Sequence, residues 1–340
     1  MSLITKIGKL VVPKPATLAK LGLVKTEARS LCGGQRGTID HLAIRNSVSG
    51  GLTTIGGRTE NEDGLLLARR TKRGQEQIFM VVADGMGGYG NGEIASAFAI
   101  NIMAQHFRAG KAGTFSFSDA IDNIANSLAQ WKLYQQNADQ MAGTTLVGAL
   151  IDMPTNMLRL AHIGDSRAYL FRRGELMMLT LDHNLMPDFL TAALADGSYA
   201  RSTLAGLKRL LGNDLVAAYQ GLTPPFSPKL SSLLYQLGAD YYDAPYQDMS
   251  GRPLFMSSIA KAIGVNDYKG ADASYLGIAL QEGDIVVLAS DGLHDFCTYH
   301  QLAGAISSTQ KGSPADIANA IYSSLTNMAD NVTIAVHKHG

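Results

Sequence analysis

Acidic residues in this 340-residue chain stand where apolar strands begin or end. Asp84 closes FMVVAD, Asp165 follows MLRLAHIG and Asp291 follows DIVVLAS. Asp330 directly precedes NVTIAV, and Glu62 and Asp63 directly precede GLLLAR. Most carboxylates lie on solvated faces, and one beside a buried strand end is costly unless it is paired or metal-bound. Cations near these acids are few: Arg58, four residues before Glu62 in GGRTENED, and Arg167 in GDSR. Such a set suits a hard divalent ion, Mg2+ or Mn2+, which prefers oxygen ligands. One aspartate can bridge two ions roughly 3.5–4 Å apart. Asp84 is the bridging candidate, because the glycines after it let the Gly85 carbonyl turn toward a metal. Arg58 supplies a guanidinium that can grip two phosphate oxygens. Together these residues describe phosphoryl hydrolysis. A water whose pKa is lowered far below the bulk value of about 15.7 attacks phosphorus in line, while Arg58 and the ions take up the equatorial charge.

These residues need elements to hold them. LAIRNSVSG and GLTTIGG predict short strands around a Gly50–Gly51 turn. GLLLAR and QIFMVVAD are strands joined by TKRGQ, and EIASAFAINIMAQHF and DAIDNIANSLAQWKLY are helices, the second capped by Ser118. TTLVGALID, MLRLAHIG, SRAYLFRR and ELMMLTL are strands, with Gly174 in a tight turn. The stretch 182–272 is irregular and proline-rich. SYLGIAL and DIVVLAS are strands again, and Thr298–Gln301 and Ser313–Pro314 open two helices before the strand NVTIAVHK. Neighbouring strands with tight turns imply antiparallel pairing. Long helices in pairs need a sheet face, so two stacked sheets with helices outside satisfy the pattern.

Gly85, Gly87 and Gly90 also fit GxGxxG, but a dinucleotide site wants an acid about twenty residues on, at the end of a second strand. Gln105 and His106 fall there, within a helix, and no GK[ST] follows. The glycines therefore serve Asp84 and the start of the helix near Asn91–Glu93. Composition is ordinary for a globular protein, 46% hydrophobic and 17% charged. Lysine plus arginine equals aspartate plus glutamate, 29 each, which argues against a nucleic-acid partner. Two cysteines, Cys32 and Cys297, make neither a disulfide framework nor a metal knuckle. With no transmembrane segment and no secretory signal, a cytoplasmic location is expected. Residues 1–37 carry seven basic residues against Glu27, and Ile4, Ile7, Leu10 and Val11 have helical spacing. This leader reads as a flexible basic tail, or as a segment that docks an acidic partner or membrane surface.

Six motifs occur in order: R-x-x-N-E-D at Arg58–Asp63, ADGMGG at Ala83–Gly88, GTT at Gly143–Thr145, HIGDSRAYL at His162–Leu170, SDGL at Ser290–Leu293 and DNVT at Asp330–Thr333. In this the chain resembles the metal-dependent type-2C protein phosphatases (PPM) of bacterial type, over residues 38–340. The resemblance implies an α+β fold, a four-layer αββα sandwich of two antiparallel sheets flanked by helix pairs, with a flap insertion at about 182–272. It implies a protein serine/threonine phosphatase that hydrolyses phosphoserine and phosphothreonine by attack of a metal-bridging hydroxide. It implies Mn2+ or Mg2+, two ions and a weaker third, and a phosphoprotein substrate made by an opposing Ser/Thr kinase. By the same resemblance Asp84, Asp291 and Asp330 hold the first ion. Asp84, the Gly85 carbonyl and the Glu62 region hold the second, with Asp63 supporting that shell. Asp165 with Asp291 holds the third, and Arg58 binds the substrate phosphate.

Two departures stand out. Some relatives place a histidine after the DG pair as general acid, whereas Met86 stands here and cannot donate a proton. The insertion is long and its middle does not match the family pattern, although SIAKAIG at Ser257–Gly264 resembles the return of the flap to the core. It is a surface elaboration, or it recognises substrate and gates access. His162, His183 and His294 read as packing residues, Arg167 as a structural partner of a carboxylate, and Cys297 as a buried spectator. Two alternatives to a protein phosphatase are an inactive pseudophosphatase that acts as a binding module and a small-molecule phosphatase on the same fold.

Overall fold

The computed structural model describes residues 25–32, 39–43, 48–72, 75–87, 91–109, 115–134, 141–196, 201–242, 259–265, 267–326 and 328–340. The helical pattern expected at Ile4–Val11 and the middle of the insertion, 243–258, lie outside them.

Strands β1 (Lys25–Cys32), β4 (Asp63–Lys72), β5 (Gln75–Met86), β7 (Leu146–Asp152), β8 (Met157–Ile163) and β11 (Ser274–Ala279) form one sheet in the order β1-β4-β5-β7-β8-β11, with β6 (Gly143–Thr144) paired to the end of β5. The second sheet runs β10 (Glu175–Met178), β9 (Arg167–Arg172), β12 (Ile285–Ala289), β13 (Val332–Lys338), β3 (Ser49–Thr54) and β2 (Ile39–Ala43). All of these pairings are antiparallel.

Side-chain alternation explains the layers, because successive residues of a strand point to opposite faces. On β5, Ile78, Met80 and Val82 pack between the sheets, while Phe79, Val81 and Ala83 face outward. The outward set packs against α1 (Asn91–Ala109) and α2 (Phe117–Tyr134), where Phe79 stacks on Phe107 and meets the rings of Phe115 and Phe117 edge-on or tilted. On the second sheet Ala168, Leu170, Val286 and Leu288 face the first sheet. Tyr169, Phe171, Val287 and Ile334 face α8 (Tyr299–Thr309) and α9 (Pro314–Ser323), which follow the one-turn helix α7 (Asp291–His294). The result is the expected helix, sheet, sheet, helix stack.

The capping boxes at Thr298 and Ser313 form as expected: Thr298 Oγ1 accepts from the Gln301 amide, and Ser313 Oγ from that of Asp316. Three local expectations differ from the structure. Gly50 and Gly51 lie inside β3, not in a turn. A Cβ on Gly51 would come within 2.5 Å of the Ile334 carbonyl, and one on Gly50 within 3.0 Å of the Ala315 amide, so these glycines allow close approach of β13 and α9. The cap of α2 is Ser116, whose Oγ accepts from the Asp119 amide, because the helix starts at Phe117, before Ser118. The end of the basic leader is not outside the fold: Lys25–Cys32 is an edge strand, with Glu27 facing Arg69 in register on β4. Its polar sequence, KTEARSLC, suits an edge that needs no fully buried face.

The insertion contributes α3 (Met186–Asp196), α4 (Arg201–Leu211), α5 (Leu215–Gln220) and α6 (Pro228–Tyr242). Phe189, Leu207, Tyr219, Leu234 and Tyr235 bury against the outer face of the second sheet, in one core with Leu302 and Ile306 of α8. The chain returns at Ile259, bridged to Asn184, and at Ile263, bridged to Thr144, in agreement with the return expected there. Among the described residues no helix is long and apolar enough to cross a membrane.

Candidate active site

The topology brings the acidic strand ends to one end of the sandwich. In the first sheet Asp63 at the start of β4 pairs with Asp84 near the end of β5. The end of β5 lies beside the start of β7, and the start of β7 beside the end of β8. In the second sheet the start of β9, the end of β12, the start of β13 and the end of β3 are neighbours. The crossovers β3–β4 and β8–β9 carry the chain between sheets at this same end. Asp84 shares strand parity with Val82 and Met80, and Asp63 with Leu65 and Leu67, all in the inter-sheet core. Both carboxylates therefore face the mouth of the gap between the sheets.

Backbone and hydroxyl groups fix this end. The Asp84 amide donates to Thr145 Oγ1 (3.0 Å), the Asp84 carbonyl accepts from the Thr145 amide (2.8 Å) and Thr144 Oγ1 (2.9 Å), and Thr145 Oγ1 meets Ser166 Oγ at 2.7 Å. Ser290 Oγ donates to Asp63 Oδ2 (2.8 Å) and accepts from the Thr333 amide (2.9 Å). Asn331 Oδ1 accepts from the Glu62 amide (2.9 Å), while its Nδ2 donates to the carbonyls of Ile55 and Glu60.

The glycines after Asp84 have a steric role. A Cβ on Gly85 would lie 2.0 Å from the Gly92 carbonyl, and one on Gly92 would lie 2.4 Å from Glu62 Oε1 and 2.7 Å from the Gly85 carbonyl. Close approach lets the first turn of α1 reach Glu62, whose Oε1 accepts from the Gly92 amide at 3.1 Å. A carboxylate at a helix N-terminus is favoured by the helix dipole.

Electrostatically the site is an excess of buried negative charge. Burial, followed by Asp291, Asp63 and Asp165, pushes Asp84 well above the usual carboxylate range. Burial raises Asp63 to about 7 and Asp291 to about 6, and holds Asp165 well above its ordinary value. The Asp84 and Asp291 side chains hydrogen-bond to each other. Asp63 Oδ1 is buried with no hydrogen-bond donor. Arg58 pairs with Asp330 at 2.5 Å and bears electrostatically on Asp291 and Asp84.

The expected residues thus divide. Asp63, Asp84, Asp165 and Asp291 form one coupled cluster, Arg58 and Asp330 close its exposed side, and Glu62 stands at the margin under α1. Among the described residues no three acidic or histidine side chains converge on one point at ligand distance, since Asp84 is bonded to Asp291 and Asp330 is turned to Arg58. The donor set is nevertheless all oxygen. Mutual repulsion, raised acids and the orphaned Asp63 Oδ1 fit a divalent cation, which would hold all of these groups ionised. Met86 follows Gly85 and offers no proton.

His162 and His183 stack at 4.7 Å, and the His183 backbone and ring both bond Gly164, so they brace the β8–β9 turn. Arg167 is a structural partner, bound bidentately to Asp182 (2.9 and 2.6 Å). Sequence reasoning passed over Ser290 and Asn331, although both stand inside the SDGL and DNVT motifs. Their signal was polarity at a strand end beside an acid.

A family model described as protein phosphatase 2C matches residues 51–320. The chain is similar to the serine/threonine protein phosphatase PstP of Mycobacterium tuberculosis, 35% identical over 127 residues, 37% of this chain and 23% of the relative. It is also similar to the protein phosphatase PhpP of Streptococcus pneumoniae, 33% identical over 151 residues, 42% of this chain and 57% of the relative. The matched segment therefore spans from just under a quarter to just over half the length of these curated relatives. Among solved structures, the PPM Ser-Thr phosphatase MsPP of Mycobacterium smegmatis superposes with a TM-score of 0.54 at 20% identity, covering 86% of this chain and 98% of that one.

Proposed function

The chain belongs to the protein phosphatase 2C family, and on that premise we propose that it is a metal-dependent protein serine/threonine phosphatase. The observation that carries this reading is the cluster of Asp63, Asp84, Asp165 and Asp291, raised by burial and by one another at one end of the sandwich. Mn2+ or Mg2+ held there would supply Lewis-acid activation of water and neutralisation of phosphate charge. Asp84, Asp291 and Asp330 would hold a first ion. Asp84 with the Gly85 carbonyl and the Glu62 region would hold a second, supported by Asp63, and Asp165 with Asp291 would hold a weaker third.

Arg58 orients the phosphate. Its side chain is 57% exposed and already turned toward Asp330, so binding substrate exchanges a carboxylate oxygen for phosphate oxygens, to which a guanidinium donates bidentately. The Ser290 and Thr145 hydroxyls fix Asp63 and the Asp84 backbone, which keeps the carboxylates directed at the mouth of the sandwich. Because Met86 cannot donate, the proton for the departing serine or threonine oxygen comes from water in the site. The substrates are phosphoproteins opposed by a Ser/Thr kinase, and the protein acts in the cytoplasm.

The test is hydrolysis of p-nitrophenyl phosphate and of a phosphothreonine peptide, with Mn2+, with Mg2+ and with chelator, beside Asp291→Asn. Metal-dependent turnover of both substrates that disappears in the variant is expected. A folded protein inactive with every metal would refute the reading and leave a binding module. Turnover of the small ester alone would refute the protein substrate.

A further inference from the structure

Beside the acidic cluster the mouth of the sandwich turns apolar. Met86 is the last residue of β5 and shares strand parity with Asp84, so it presents a half-buried side chain on the same face about 7 Å further along. Opposite it, in register on β6, stands Gly143. A Cβ there would lie 2.6 Å from Val265 Cγ2 and 3.4 Å from Met86 Cγ. The two apolar side chains thus flank a residue that has none.

The neighbouring chain extends this surface. The Met141 carbonyl lies against Gly87, where a Cβ would come within 2.3 Å of it, and Met141 is 59% exposed. The end of α2 reaches the same corner. Lys132 Nζ donates to the Gly264 carbonyl at 2.6 Å, and a Cβ on Gly264 would lie 2.8 Å from the Ala142 carbonyl. Leu133 and Tyr134 follow Lys132, both exposed. Three of the seven large hydrophobic residues exposed among the described residues therefore stand at one corner of the mouth. Single exposed hydrophobics need no explanation, whereas a group of them marks a binding surface. The other flank of the mouth is charged: Arg58, Glu60, Glu62 and Glu93 act on one another there.

We propose that Met86 and Met141 form a shelf that takes an apolar side chain of the substrate, one or two positions from the phosphorylated residue, so that phosphoproteins are selected by an apolar flank. Such a shelf serves a protein phosphatase alone, so its role rests on that proposed function. An extended segment advances about 3.3 Å per residue, and two residues span the separation of Asp84 and Met86. A phosphate presented at Asp84 therefore brings the chain that carries it over Met86. Methionine is unbranched and polarizable and adapts to different apolar shapes, so the shelf separates apolar from polar flanks rather than one apolar residue from another. A second copy of this chain seated here would close the mouth through which a phosphoprotein must enter.

The test is kcat/KM, with Mn2+, for phosphothreonine peptides that carry leucine at one of the two positions on either side of the phosphorylated residue and serine at the others, against the all-serine peptide. Wild type should favour leucine at one of these positions about fivefold, the worth of covering roughly half of a leucine side chain. Met141→Gln and Met86→Gln should each lower this ratio, and the double variant should bring it to about one. The ratio compares two substrates on one protein, so a general loss of folded or metal-loaded enzyme cancels. Met141 is exposed, and its variant suffices if Met86→Gln does not fold. Sedimentation of wild type and Met141→Gln at the assay concentration should show no change of oligomeric state.

Wild type that hydrolyses every peptide equally well, or a preference for leucine that both variants keep, would overturn the proposal. So would a wild-type dimer that Met141→Gln dissociates, which would assign the shelf to a second copy of the chain. Wild type that turns over p-nitrophenyl phosphate but no peptide would overturn the protein-substrate reading, and the shelf with it.

Discussion

Removing one hydroxyl, in Ser290→Ala, tests how the site holds its buried charge. Ser290 is fully buried, and its oxygen serves Asp63 Oδ2 at 2.8 Å and the Thr333 amide at 2.9 Å. Alanine leaves the Thr333 N–H without a partner, at roughly 1–3 kcal/mol, and removes a bond to an ionised carboxylate worth about 1.5–3 kcal/mol. Asp63 is left with the Thr333 side chain as a donor, and its Oδ1 has none. The two losses share one site and are not additive, so about 3 kcal/mol is expected at pH 8. Burial raises Asp63 to about 7, so at pH 5 it is protonated and the lost bond is neutral, worth about 0.5–1.5 kcal/mol. The deficit at pH 5 should therefore be smaller by about 1 kcal/mol. Urea unfolding of chelated wild type and variant at both pH values measures this directly. A deficit under 0.5 kcal/mol at pH 8, or equal deficits at the two pH values, would refute the reasoning.

Three further outcomes follow from the same geometry. Asp63 and Asp291, raised to about 7 and about 6, keep protons in the folded state that the unfolded chain releases above pH 4. Their contribution to stability is thus present at low pH and lost as pH rises through 4 to 7. A bound cation reverses this, so the rise in melting temperature caused by Mn2+ should be larger at pH 8 than at pH 5, and an equal rise would contradict it. Gly51→Ala drives a Cβ to 2.5 Å from the Ile334 carbonyl and should cost about 2 kcal/mol by overpacking, whereas a turn glycine with room would show almost no loss in the same urea assay. His337, lowered to about 3 by burial and by His339, stays neutral in the fold while the unfolded chain protonates below about pH 6.5. Its share of stability should be lost as pH falls from 6.5 toward 3, so His337→Gln should depend less on pH than wild type across that window, and parallel curves would contradict this.

The sandwich and the acidic end were legible because both depend on local pattern. Alternation on β5 separates Val82 from Val81 into different layers, and the same alternation carries Asp84 into the inter-sheet face. Other features were set by tertiary contact and left no local pattern. Gly50 and Gly51 resemble turn residues, yet the Ile334 carbonyl and the α9 backbone lie where their side chains would be. KTEARSLC has the polarity of a leader, and only its pairing with β4 makes it a strand. Ser290 and Asn331 act through bonds to Thr333, Glu62, Ile55 and Glu60, which no spacing announces. The insertion could be located by its prolines, but its packing at Arg167 depends on α6 crossing the guanidinium at Gly238, where a Cβ would lie 2.7 Å from Nη2.

The placement of β13 bears on when the site comes into being. This strand, residues 332–338, fills the position between β12 and β3 in the second sheet, and Asp330, Asn331 and Thr333 at its start touch Arg58, Glu62, Ser290 and Thr53. The Arg58–Asp330 contact closes a separation of 272 residues. Contacts of such long range form late, after the entropy of closing the loop has been met. Without β13, β2 and β3 would leave the inner edge of their sheet open, with β9 and β12 on the far side of the gap. Until β13 inserts, the second sheet is two separate ribbons and Asp330 has no place beside Arg58. Insertion of β13 therefore does two things at once: it joins the two halves of the second sheet and brings Asp330 beside Arg58.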